Sequence, residues 1–86
     1  MIIYFHKNFE KAYQKLQKNE QQKIKIRLAL FLENSFHPLL NNHELKGEYA
    51  SHFSINISGD LRAHYKLVGK NKVLFTIVGT HSQLYR

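Results

Sequence analysis

The sequence predicts an α+β domain in which a two-helix hairpin packs on a twisted antiparallel sheet of about four strands. Three observations support this class. Apolar residues recur at helical spacing between Phe9 and Leu32, the apolar period changes to two after Ser51, and Val73 to Val78 is apolar on both faces, as in a central strand. A chain of 86 residues suffices for one modest core, so residues 1–86 are expected to form a single domain.

Residues 2–5 (Ile2, Ile3, Tyr4, Phe5) are β-branched or aromatic and favour a short strand. Asn8 is placed to cap a first helix whose apolar positions are Phe9, Ala12, Tyr13 and Leu16 and which ends near Asn19, with Lys7, Lys11, Lys15 and Lys18 facing water. A second helix is expected from about Glu20 to Asn34. Ile24, Leu28, Phe31 and Leu32 form its apolar face, and Ile26 and Leu30 widen that face enough to suggest burial between two neighbours. Pro38 and the Asn41-Asn42 pair close the segment into a loop. Beyond it, Phe53, Ile55 and Ile57 alternate with Ser54, Asn56 and Ser58. After a turn at Gly59-Asp60, Leu61, Ala63, Tyr65 and Leu67 alternate with Arg62, His64 and Lys66. A second turn at Gly69 to Asn71 leads into the final strand, giving an antiparallel meander with one face apolar under the helices and the other polar.

Thirteen Lys and Arg against six Asp and Glu give a formal charge of +7, which favours an anionic partner, nucleic acid before membrane. The absence of cysteine removes disulfide frameworks, thiolate nucleophiles and Cys-ligated zinc. The apolar start is too short for a signal peptide and no run approaches the ~20 residues of a membrane span, so a soluble, cytoplasmic protein is expected. The six histidines (His6, His37, His43, His52, His64, His81) include no HExxH and no i, i+4 helical pair, so neither a metal nor another cofactor is expected.

Strand parity places Ser54, Asn56, Arg62, His64 and Lys66 on the polar face, and His81 leaves the neighbouring strand close by. Cations beside titratable groups on such a face are what phosphodiester cleavage requires: one group takes the ribose 2′-hydroxyl proton, another protonates the departing 5′-oxygen, and cations stabilise the phosphorane. Each candidate also has a plainer role. His81 can cap the last strand, His43 can be a solvated loop residue, Asp60 can accept backbone N–H groups in its turn, Arg62 can pair with Asp60 or Glu48, and Tyr85 can pin the tail as a core aromatic. His6, His37 and His52 read as ordinary surface or half-buried residues.

The segments HELKGEY (His43 to Tyr49), SINISGDLRAHYKL (Ser54 to Leu67) and FTIVGTHSQLY (Phe75 to Tyr85) resemble the RelE/ParE superfamily of bacterial toxin-antitoxin toxins, with the closest likeness to its YafQ-type branch. The resemblance implies a ribosome-dependent mRNA endonuclease that enters the decoding A site, cuts the codon there and stops translation. It also implies a cognate antitoxin, which the charge predicts to be acidic. Residue by residue, His43 matches the histidine before the Leu-x-Gly step, Asp60 the acidic turn residue, His81 the histidine of the Gly-Thr-His tail, Tyr85 the terminal aromatic that contacts RNA, and Arg62 a phosphate-binding arginine. In the expected site His43 and His81 transfer protons, Asp60 orients or replaces one of them, Tyr85 stacks on a base, and Lys46, Arg62 and His64 bind substrate. One departure stands out. YafQ-type toxins carry a further histidine on the strand before the turn, where this chain has Asn56, an amide that cannot exchange protons near pH 7. Two other readings share the basic α+β frame: a ParE-like inhibitor of DNA gyrase, which has no chemical need for the His and Tyr tail, and a module that coats RNA through phosphate contacts without cutting it.

Overall fold

In chain order the elements are β1 (Ile2–Phe5), α1 (Lys7–Gln14), α2 (Lys18–Glu33), β2 (His43–Glu44), β3 (His52–Ser58), β4 (Leu61–Gly69), β5 (Lys72–Thr80) and α3 (His81–Leu84), with 3-10 turns at Pro38–Leu40 and Gly47–Tyr49. The computed structural model describes residues 1–49 and 51–85; Arg86, the last residue of the chain, lies outside them. The strands form one sheet in the order β1-β5-β4-β3-β2, in which β1 runs parallel to β5 and every other pair is antiparallel.

The fifth strand is the two-residue β2, which pairs His43 with Ser54 and Glu44 with Phe53. Two residues carry no period, so only the pairing itself reveals this strand. The apolar Val73–Val78 run is central as expected, lying between β1 and β4.

The helices cover one face of the sheet. Phe75 of β5 is fully buried at the middle of an aromatic cluster, with ring centroids 6.2 Å from Phe5, 5.9 Å from Phe9, 5.4 Å from Phe31 and 5.2 Å from Tyr65. Each such buried ring contributes about 1.5–3 kcal/mol over its exposed state. Ile24, Leu40, Ile55, Ile57, Ala63 and Val73 complete the core. The Tyr65 hydroxyl donates to Asn42 Oδ1 at 2.9 Å, tying the loop after α2 to the sheet.

The helix boundaries differ from the periodic reading. The cap of α1 is His6, not Asn8: its Nδ1 accepts the Asn8 backbone N–H at 3.0 Å. The first helix stops at Gln14 rather than Asn19, and α2 begins at Lys18, where the Glu20 carboxylate accepts the Gln17 backbone N–H at 3.3 Å. A short-range cap thus overrides a continuous apolar stripe. The wide apolar arc of α2 is only partly used. Ile24 and Phe31 are buried, while Ile26 and Leu32 are exposed, because α2 packs on the sheet from one side and has no second layer over it.

Candidate active site on the second sheet face

Cross-strand partners share a face, so the register assigns the second face in rows. One row runs His43, Ser54, His64, Ile77; beside it lie His52, Lys66, Leu74 and, on the other side, Asn56, Arg62, Gly79. A bulge in β5 leaves Thr76 as an extra residue, its hydroxyl donating to the His64 carbonyl at 3.3 Å. The bulge keeps Phe75 and Val78 both in the core while Ile77 faces His64.

This face is not fully open, because the tail folds back onto it. Thr80 caps α3 by accepting the Gln83 N–H at 3.3 Å, and Gln83 Oε1 returns to accept the Thr80 N–H at 2.8 Å. Leu84 is buried against β5, and the Tyr85 N–H reaches the His81 carbonyl at 2.9 Å. Gly79 permits this approach: a Cβ there would stand 2.9 Å from Gln83 Oε1 and 3.3 Å from Leu84 Cδ2. The Tyr85 hydroxyl then lies 2.8 Å from His64 Nε2, and its ring centroid 4.5 Å from that of His81.

The expected substrate contact at His64 is therefore revised. Its side chain is 1 % exposed and bonded to Tyr85, so it is not presented to a phosphate. Burial, with the neighbouring His52 and His43 charges as smaller causes, lowers its pKa from 6.5 to about 4. The ring is neutral at physiological pH.

The remaining candidates divide between the face and its rim. His81 is exposed at the first position of α3, and its backbone N–H donates to the Asp60 carbonyl at 3.1 Å, which joins the tail to the Gly59-Asp60 turn. Arg62 donates to the Gly59 carbonyl at 2.7 Å and the Leu61 carbonyl at 3.2 Å, which holds its guanidinium at that same turn. His43 is exposed on β2, with Nδ1 2.8 Å from the Asn41 carbonyl. A carbonyl only accepts, so Nδ1 carries the proton and Nε2 is left as the basic nitrogen. Lys46 is exposed on the connector after β2. The fold thus unites His81, Asp60, Arg62 and Tyr85 around one turn, and β2 places His43 in the row of His64.

His52 and Ser54 also belong to this face. Ser54 is 1 % exposed, and Ser54 Oγ and His52 Nδ1 are buried with no hydrogen-bond partner among the described residues. Parity with Asn56 was the signal for His52.

A five-stranded sheet with a helix hairpin on one face and a His-Tyr tail on the other defines the RelE-like toxin fold, and solved structures of that class superpose closely. YafQ from E. coli strain BL21(DE3) matches with a TM-score of 0.82 at 23% identity, covering 98% of this chain and 97% of that one. A chain of the E. coli DinJ-YafQ complex matches at 0.79 and 24%, covering 98% and 97%. A chain of the RelB-RelE antitoxin-toxin complex from Methanococcus jannaschii matches at 0.75 and 22%, covering 95% and 94%. The chain belongs to the YafQ family of bacterial toxins of type II toxin-antitoxin systems, whose model matches residues 1–86. No curated protein matches the sequence.

Proposed function

We propose that this YafQ-family toxin is an endoribonuclease that cuts mRNA in the ribosomal A site and thereby stops translation. The observation that carries this reading is the grouping of His81, Asp60, Arg62 and Tyr85 at one turn, with His43 on the same sheet face. A scaffold of this size has no structural need for two exposed imidazoles and an arginine there.

The chemistry follows from the groups. His43 Nε2 takes the proton of the ribose 2′-hydroxyl; the 2′-oxygen bonds to phosphorus and the bond to the 5′-oxygen breaks; His81 gives that oxygen a proton. The products carry a 2′,3′-cyclic phosphate and a 5′-hydroxyl, and the route is complete without a metal. Arg62 and Lys46 offset the charge of the phosphorane, Asp60 orients His81, and the Tyr85 ring stacks on a codon base. Asn56 stands beside Arg62 in the adjacent row and serves as a hydrogen-bonding group rather than an acid or base.

The solved E. coli and M. jannaschii complexes pair such toxins with an antitoxin. The +7 charge of this chain suits an acidic antitoxin segment. Among the described residues no helix is long and apolar enough to cross a membrane, and the proposed action on ribosome-bound mRNA requires the toxin to work in the cytoplasm.

The test is induction in a bacterial host with mapping of new mRNA 5′ ends, alongside His81→Ala. Ends clustered within translated codons and absent in the variant support the nuclease. Intact mRNA with growth arrest and DNA damage would instead assign the protein to gyrase inhibition.

A further inference from the structure

His64 is a buried polar side chain in the middle of a sheet, at a position where an aliphatic residue would pack against Ile77 with no polar group to satisfy. Burying an imidazole is unfavourable unless it is hydrogen-bonded, so its partner identifies its use. A side-chain partner is the Tyr85 hydroxyl, 2.8 Å from Nε2. β4 is paired on both sides, by β3 and β5, so His64 is mounted on one of the most constrained strands of the molecule. Tyr85, by contrast, follows a helix of only four residues.

Three contacts among the described residues hold the tail. The Thr80-Gln83 cap fixes the start of α3, Leu84 is buried against the sheet, and the Tyr85 hydroxyl meets His64. The first two act on the backbone and on Leu84; the third acts on the Tyr85 side chain itself and restrains its torsions. His81 is exposed, and its imidazole makes a ring contact with Tyr85, 4.5 Å away between centroids.

We propose that His64 is a positioning residue: by holding the Tyr85 hydroxyl it fixes the phenol ring, and through that ring it sets the place of the His81 imidazole on the cleavage face. The kinetic consequence rests on the nuclease reading above; the positioning does not. His64 touches no RNA. It acts through Tyr85, and it does not replace the acid-base histidine missing at Asn56, because a buried ring cannot exchange protons with substrate.

The test is a double-mutant cycle of His64→Leu, Tyr85→Phe and their combination, with His64→Gln as the conservative variant. Tyr85→Phe removes a single hydroxyl and keeps the stacking ring, so it folds even where His64→Leu does not. Two readouts are taken: single-turnover and steady-state cleavage of ribosome-bound mRNA, and the NMR signals of the His81 ring in the folded protein. Each single change is expected to lower kcat about tenfold with KM within about twofold, the combination no further, and Gln to recover most of the loss. The His81 signals should shift alike in Tyr85→Phe and in the combination. Multiplying kinetic losses, or unshifted His81 signals in Tyr85→Phe, would overturn the positioning role. A wild-type protein that leaves mRNA intact, with His81 signals that still shift in Tyr85→Phe, would retire the nuclease reading and leave the positioning intact.

Discussion

Gly79→Ala isolates the close approach that brings the tail onto the sheet. Gly79 is buried, and an added Cβ would stand 2.9 Å from Gln83 Oε1, a distance that forces the amide to move. That oxygen accepts the Thr80 N–H, so displacing it opens the cap of α3, at a cost of about 1 kcal/mol. Against this, alanine restricts the unfolded chain and returns about 0.4–1 kcal/mol. The single substitution should therefore change stability little, between neutral and about 0.6 kcal/mol destabilising. The decisive quantity is the coupling to Gln83. In a Gln83→Ala background the clash is gone, leaving the 3.3 Å contact with Leu84 Cδ2 and an ordinary 3.5 Å contact with the Cβ of residue 83, and Gly79→Ala should be neutral or stabilising. The two backgrounds should differ by about 1 kcal/mol, or roughly 4–8 °C in Tm for a domain of this size, read by thermal and urea unfolding. Equal effects of Gly79→Ala in both backgrounds would show that the tail does not pack as described.

Phe75→Ala empties the centre of the aromatic cluster, where the ring is fully buried among Phe5, Phe9, Phe31 and Tyr65. A loss of about 3–5 kcal/mol, against a total of roughly 4–13 kcal/mol for such a chain, should lower Tm by more than about 12 °C or prevent folding; a Tm within a few degrees of wild type would contradict the core. Acidification gives a separate check. The His64 pKa is about 4 in the folded state against 6.5 unfolded, so below pH 6.5 the unfolded chain binds a proton that the folded one does not. That contribution to stability is complete above pH 6.5 and declines as pH falls towards 4, by on the order of 3 kcal/mol. The His64→Gln variant should lack this part of the acid sensitivity; an identical pH profile would mean that His64 titrates normally.

Much of the fold was legible because strand parity and helical spacing are local. The alternation across Phe53–Ser58 and Leu61–Leu67 separates Ile55, Ala63 and Tyr65 from Ser54, Arg62 and His64, and the register keeps that division. The continuous apolar run of β5 marked the central strand for the same reason. Helix ends were less legible. The Glu20 contact to the Gln17 backbone, and the imidazole cap of His6, are individual hydrogen bonds that no period records. The apolar arc of α2 overstated burial, since Ile26 and Leu32 are apolar residues that no neighbour covers.

The candidate site divides in the same way. His81, Asp60, Arg62 and Tyr85 stand out in the sequence because a strand end and a tight turn are local features carrying residues with chemistry. By itself the sequence determined the class of fold, the face on which each strand residue lies, the basic charge and the residue types available for proton transfer. Tertiary structure alone decided which of those residues are reachable. Parity assigns His64 to a face but cannot say what lies over that face, and the returning tail covers it. A two-residue strand brings His43 into the His64 row, and the Asp60 carbonyl meets the His81 N–H across 21 positions of sequence. Contacts between residues far apart in the chain depend on the sum of packing and pairing over the whole molecule, and no local period encodes them.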